Sequence, residues 1–263
     1  MKKFFVFFLL LFLSSSAFCT TNAMWWWGGG RAAMDSVEGN GHVVTINKDL
    51  SLAPYSLEMR NISFVSSPGV QIRSVPGEYP RISLTTDENI VAITDVRVDE
   101  RCQTIEILSR EKLSPTAFIV EITTPFKGFV GRGKFNFNVT SGRVSAFNLN
   151  VDGESKGEFN LNVDGSLSVN ANGQSSLRIS GYASTFNLSA QGESNVDAVR
   201  MHSHTCVVSC NGGGKVCVNA DTLLDLRMGG NWECVYDGNP RQLNKSFFGI
   251  CRLHPVGASD FRF

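Results

Sequence analysis

The sequence carries no excess charge of either sign. Its 24 lysines and arginines are matched by 24 aspartates and glutamates, so the balance gives no reason to expect nucleic acid or another polyphosphate as a partner. It lacks the cysteine density of a disulfide scaffold, with seven cysteines in 263 residues, Cys19 among them. No long stretch repeats its charges at helical period, and beyond the N-terminus no segment approaches the length that spans a bilayer. What the chain has instead is 25 glycines and heavy use of Asn and Ser, the composition of turns and strands.

The opening, MKKFFVFFLLLFLSSSAFC, reads as a secretory signal peptide over residues 1–19. Two lysines precede an apolar run from Phe4 to Leu13 that is too short for a stable membrane anchor, and small polar residues follow. Cleavage after Ala17 and after Cys19 both fit, and Phe18 directly before Cys19 argues against a lipoprotein. The chain is therefore expected to be exported, to the periplasm, the outer membrane or the exterior. Residues 20–40 read as a flexible tail, because Trp25 to Trp27 followed by Gly28 to Gly30 show no period. A membrane interface or a partner groove is the alternative use for those three rings.

Gly153, Gly173, Gly192, Gly212 and Gly230 recur at intervals of 20, 19, 20 and 18 residues. The six positions before each read FNLNVD, LSVNAN, FNLSAQ, CVVSCN and LDLRMG, with every second one apolar. Alternation of this kind makes half-buried strands, each entering a turn at a glycine, and it resumes beyond the turn. One such unit cannot bury its apolar side alone, so the copies must stack, strand on equivalent strand. The expected fold is all-β: a right-handed parallel β-helix or solenoid over residues 41–253, with regular rungs about 142–240 and a C-terminal tail at 254–263. Residues 42–140 have the same strand chemistry without the glycine period, as in VQIRSV and NIVAITDVRVD. They read as the first, less regular turns of the coil or as a packed sheet that caps it.

Candidate sites follow from the rungs. His202, His204 and Cys206 stand at i, i+2 and i+4 on one side of a strand, adequate spacing for a transition metal. The competing reading is a surface His pair beside a core thiol. Cys206, Cys210 and Cys234 share the inward register while Cys217 points outward. Rungs about 4.8 Å apart leave either a bridge between neighbouring rungs or plain core thiols open. Cys102 and Cys251 have no assigned place. Outward positions five after each glycine, Glu158, Arg178, Asp197, Cys217 and Val235, mix signs and form no charge cluster. Ser155, Ser175 and Ser194 align without a His or Lys in register, which makes a turn ladder and not a nucleophile. No catalytic residue and no cofactor is assigned. The strip of Asn and Ser could hydrogen-bond a surface glycan or an envelope protein, but the favoured reading is a plain soluble wall, which any solenoid needs.

GESNVDA at 192–198, followed by SCNGGGKVCVNADTLLDLRMGGNWECVYDGNP at 209–240, resembles the bacterial family called the "putative auto-transporter adhesin, head GIN domain". The closing segment of that family corresponds here to Leu226, Gly229, Gly230, Asn231, Tyr236, Gly238 and Pro240, and the likeness runs over roughly residues 40–253. Trp232 and Cys234 depart from it, standing where small or aliphatic residues are more typical. The resemblance implies an exported β-helical domain and supplies no catalytic residue. The chain reaches Phe263 without the strand series that a membrane barrel would need, so the mature chain is expected to have no transmembrane segment. The expected role is a non-catalytic module at the bacterial cell envelope or surface, either binding and adhesion-like or structural. The alternative is an envelope carbohydrate-active enzyme, a polysaccharide lyase or hydrolase on a β-helix.

Overall fold

Apolar and polar residues alternate through almost every segment of the described residues, 36–65, 69–134 and 136–256 of the computed structural model, and those segments are strands. The signal segment 1–19, Trp25 to Trp27 and residues 257–263 lie outside the described residues. The N-terminal half holds β1 (Ser36–Glu38), β2 (Val43–Asp49), β3 (Ser56–Phe64), β4 (Val70–Ser74) and β5 (Arg81–Asp87). One turn of helix, α1 (Glu88–Val91), leads to β6 (Thr94–Asp99), β7 (Thr104–Ser109), β8 (Lys112–Ser114) and β9 (Phe118–Ile122). The second half holds β10 (Gly128–Lys134), β11 (Asn136–Thr140), β12 (Val144–Asp152), β13 (Lys156–Gly173), β14 (Ser176–Asn219), β15 (Leu223–Asp237) and β16 (Gln242–Pro255).

From β10 onward the chain is a parallel β-solenoid. Phe147 stands on Leu167 and Leu167 on Phe186, and Cys206 stands on Leu224, so the apolar column expected from the repeat is layered as one core. The corner glycines also stack. A Cβ on Gly173 would lie 3.0 Å from the carbonyl oxygen of Gly153, one on Gly192 2.8 Å from that of Gly173, and one on Gly212 2.5 Å from that of Gly192. All have positive φ, between 87° and 113° from Gly153 to Gly230, a region essentially reserved for glycine. The column extends one rung beyond the sequence period at each end, to Gly133 and Gly249.

The N-terminal half continues the coil but not in chain order. β3 and β4 form a rung that lies between β10–β11 on one side and β7–β9 on the other, all paired in parallel. Against this, β5 runs antiparallel to β9 and to β2, and β6 antiparallel to β7. Both alternatives drawn from the sequence therefore hold: irregular first turns, then a sheet that caps them and covers an edge otherwise open to further pairing. Asp87 fastens the cap. It is buried, and its carboxylate accepts the Gly41 N–H at 2.8 Å and the Thr116 N–H and hydroxyl, both at 2.8 Å.

The core narrows and widens with residue size. Phe129, Phe137 and Phe159 form a ring triad with centroids 5.3 to 6.2 Å apart, and Gly157 leaves the room that the Phe137 and Phe159 rings occupy. Trp232 is accommodated the same way, fully buried over Gly214, which is how the last rungs take an indole where a smaller residue is more typical. Two boundaries shift. Ser36–Glu38, assigned to the flexible tail, is a strand paired with β8. His254 and Pro255, assigned to the C-terminal tail, finish β16, a complete rung paired with β15 along its length.

Candidate functional site

Successive side chains on a strand point to opposite sides, so each rung presents outward residues before its glycine corner and after it. The face before the corner is the Asn-rich strip, and most of its amides are used internally. Asn170 Nδ2 donates to Asn150 Oδ1 at 2.7 Å, Asn172 Nδ2 to Asp152 Oδ1 at 2.8 Å, Asn187 Nδ2 to the Ser166 hydroxyl at 3.1 Å, and Asn148 Nδ2 to the Tyr55 hydroxyl at 3.2 Å. Just past the corner, Ser155, Ser175 and Ser194 are buried. The Ser155 hydroxyl donates to the Gly133 carbonyl at 3.0 Å and that of Ser194 to the Gly173 carbonyl at 3.2 Å, while Ser175 and Ser194 share a 3.3 Å bond. These serines brace the corners from inside.

The face after the corner is different. Gln71, Asn138, Glu158 and Arg178 stand in register on successive rungs, with Arg73, Thr140, Asn160 and Ser180 in the next outward column. Asp197 follows Arg178 one rung on, in the register set by the Asn195 N–H donating to the Ser175 carbonyl. From Asn138 and Thr140 onward these columns, with Asp197 and Arg200, line an open groove of about 500 Å³. A second hollow of about 470 Å³ shares Asn138, Glu158 and Arg178 with it and reaches Gln71 and Lys156. Within the groove Arg178 Nη1 pairs with Glu158 Oε1 at 3.2 Å, and Asp197 Oδ1 accepts the Val199 N–H at 3.3 Å. The side chains of Asn138, Thr140, Asn160 and Arg200 make no hydrogen bond or ion pair among the described residues. A larger depression of about 720 Å³ lies on the cap beside Asp95 and Arg97, but those two are paired with each other at 2.7 Å and no column of rungs runs through it.

Glu158, Arg178 and Asp197, which in the sequence form no cluster, thus converge with Arg200 in one groove. Arg200 lies in the return segment of variable length, where the repeat assigns no position. Glu158 and Asp197 stand two rungs apart, with Arg178 on the rung between them and paired with Glu158.

The His pair and the thiol do not come together. The inward parity of β14 shifts between Ser203 and Cys206, both buried, so His202 and His204 are exposed while Cys206 lies on the inner column. His202 Nδ1 meets Asn219 Nδ2 at 3.4 Å. The His204 ring packs edge-on against Tyr182 with centroids 5.9 Å apart, and its Nδ1 lies 4.0 Å from Asp221 Oδ2. Among the described residues no three His, Cys, Asp or Glu side chains are placed to hold a metal ion.

The described cysteines are unbridged, which selects core thiols over a bridge between rungs. Burial pushes the Cys210 thiol up to about 12 and the thiols of Cys206 and Cys234 still higher. Cys217 does occupy an outward position, opposite Val235, yet it is only 3% exposed. Burial first, then the carboxylates of Asp197 and Glu233, raise its thiol to about 11, with Lys215 opposing them.

Among the described residues no helix is long and apolar enough to cross a membrane. Three crystal structures share the architecture. A protein described as a "putative lipid binding protein" from Parabacteroides distasonis is 18% identical with a TM-score of 0.61, covering 84% of this chain and 100% of that one. A "putative adhesin" from Bacteroides fragilis is 16% identical with a TM-score of 0.62, at 84% and 100% coverage. Another from Parabacteroides merdae is 17% identical with a TM-score of 0.59, at 84% and 99%. At such identities the likeness is one of fold. No curated protein matches the chain at a significant level. The family model described as "Putative auto-transporter adhesin, head GIN domain" matches residues 63–240, from the end of β3 to just past β15. The chain belongs to that head GIN domain family.

Proposed function

We propose that the protein is an exported, non-catalytic, adhesin-like module of the bacterial cell envelope, and that it engages its partner through the face after the glycine corners. One observation carries this reading: on that face four polar side chains, Asn138, Thr140, Asn160 and Arg200, have no partner of their own and line one groove, whereas most amides of the Asn strip are taken up within the wall. Unspent donors and acceptors held at fixed spacing on a rigid sheet are what polar recognition requires, because little ordering remains to be done on binding. Membership of an adhesin-type family and the signal segment support placement outside the cytoplasm. The arginine between the two groove carboxylates supports binding without turnover. The Parabacteroides relative described as lipid binding does not set the ligand here, since the apolar lining residues Phe159 and Ile179 are buried.

Fractionation of the native host tests export, with the chain expected in the envelope or medium. Incubation of the purified protein with envelope polysaccharides and partner extracts tests the role. Retention of a ligand without new reducing or unsaturated ends is expected; turnover that disappears on Glu158→Gln or Asp197→Asn would sink the non-catalytic reading.

A further inference from the structure

The groove also constrains what kind of molecule it takes, an inference that rests on the preceding assignment of the face. Its lining is amide, hydroxyl, carboxylate and guanidinium, and its charges cancel, Glu158 and Asp197 against Arg178 and Arg200. A polyanion laid along it would meet two carboxylates, and a polycation two guanidinium groups. An extended peptide gains its main-chain affinity by adding to an open strand edge, but here the backbones beneath the groove are already paired to rungs on both sides, as β11 is to β4 and β13. The groove also has no exposed aromatic or aliphatic anchor of the sort that dominates protein interfaces, since Phe159 and Ile179 are closed over.

What remains is a neutral chain dense in hydroxyl groups. We propose that the groove binds an uncharged oligosaccharide lying along the solenoid axis, across the rungs that present Asn138, Glu158, Arg178 and Asp197. Those four rungs span about 14 Å at the strand spacing, and each step is close to the advance of one pyranose. Every rung then meets one sugar with at least one donor or acceptor. Asn138 and Asn160 offer amides able to donate and accept at once, Thr140 offers a hydroxyl, and Asp197 and Arg200 present an acceptor and a fork of donors at the far end.

The test uses the purified protein against an immobilised panel of neutral gluco-, manno- and N-acetylated oligosaccharides of two to six units, with their uronic-acid counterparts alongside. Two double variants accompany it: Asn138→Ala with Asn160→Ala in the groove, and Asn150→Ala with Asn170→Ala in the self-paired strip. All four positions lie on the outer wall, and circular dichroism checks that both variants retain the wild-type fold. A neutral probe should bind with affinity that rises to about four sugars and then levels off, in step with the rung spacing. The groove variant should weaken it roughly 10- to 100-fold for two lost hydrogen bonds, with the strip variant almost unchanged. Retention of the acidic probes alone, or loss of binding in the strip variant instead, would overturn the assignment. If the panel is silent while an envelope protein is captured and lost with the groove variant, the oligosaccharide is wrong and the binding face stands. If neither ligand depends on the groove, both fall.

Discussion

Replacing Gly230 by alanine, with Gly229→Ala as its neighbour and control, measures what the stacked corners contribute. Gly230 has φ of +107°, and a Cβ there would overlap the carbonyl oxygen of Gly212 on the rung below. Gly229 has an unremarkable φ, and its Cβ would meet nothing closer than the Oδ1 tip of the exposed Asn211 side chain, 3.2 Å away, which can swing aside. Alanine at Gly230 must hold a conformation that costs about 1–3 kcal/mol. It must also displace a carbonyl bonded into the ladder, an overpacking term of about 1–3 kcal/mol. The sum is about 2–6 kcal/mol. Alanine at Gly229 pays neither cost and gains about 0.4–1 kcal/mol from a less flexible unfolded chain, so it should be neutral or mildly stabilising. Urea unfolding followed by far-ultraviolet circular dichroism gives both values, provided the slope against urea is unchanged between variants. Hydrogen exchange should place the damage in β14, β15 and β16, because each rung of a solenoid touches only its neighbours. If the two variants agree within about 0.5 kcal/mol, the scatter expected of surface substitutions, the corners are not what fixes the rung geometry.

Two further outcomes follow from buried groups. With Cys210 raised to about 12 and Cys217 to about 11 by burial, iodoacetamide at pH 8 should alkylate exposed Cys102 in the native protein and spare both until urea is added; equal native rates by mass spectrometry would contradict the assigned core. Asp87→Asn should destabilise the N-terminal cap by about 1–3 kcal/mol, since a neutral amide replaces a carboxylate that accepts three hydrogen bonds. Burial raises the Asp87 carboxyl, but the bonds from Thr116 and Gly41 outweigh it and hold the group below its ordinary value of 3.8. The stability this contributes is therefore complete above that value and lost as pH falls through the lower, folded one. Acid unfolding curves for wild type and variant should converge there; a constant gap down to about pH 2 would show that Asp87 is not the titrating group.

The rungs were legible because their physics is local. Alternation before Gly153, Gly173, Gly192, Gly212 and Gly230 marks both the inward face and the corner, and the coordinates stack those residues as the period requires. The outer corners were not. Gly133 shares GFVGRGK with two other glycines, and Gly249 follows Phe247 and Phe248, where alternation blurs and Lys245 takes an inward register opposite Leu226. The order of the N-terminal rungs was invisible for a deeper reason. β3 pairs with β10 about seventy residues later, and nothing within either strand names its partner. In the site, Glu158, Arg178 and Asp197 could be read as a column, but Arg200 enters from a segment without period.

The same distinction explains why the conspicuous Asn strip is not the better binding surface. Residues at equivalent positions on neighbouring rungs are about 4.8 Å apart, close enough for one amide to reach the next. A column of like residues such as Asn150 and Asn170 therefore closes on itself, and the regularity that draws attention in a sequence also consumes the groups it advertises. A column of unlike residues closes only where neighbours are complementary, as Glu158 is to Arg178 and Asp152 to Asn172. Asn138 beside Glu158, and Thr140 beside Asn160, are in register without bonding, and each leaves polar atoms facing the groove. In a solenoid the irregular column is the one with something left to offer a ligand, while the regular one ties the rungs together and keeps that column at constant spacing.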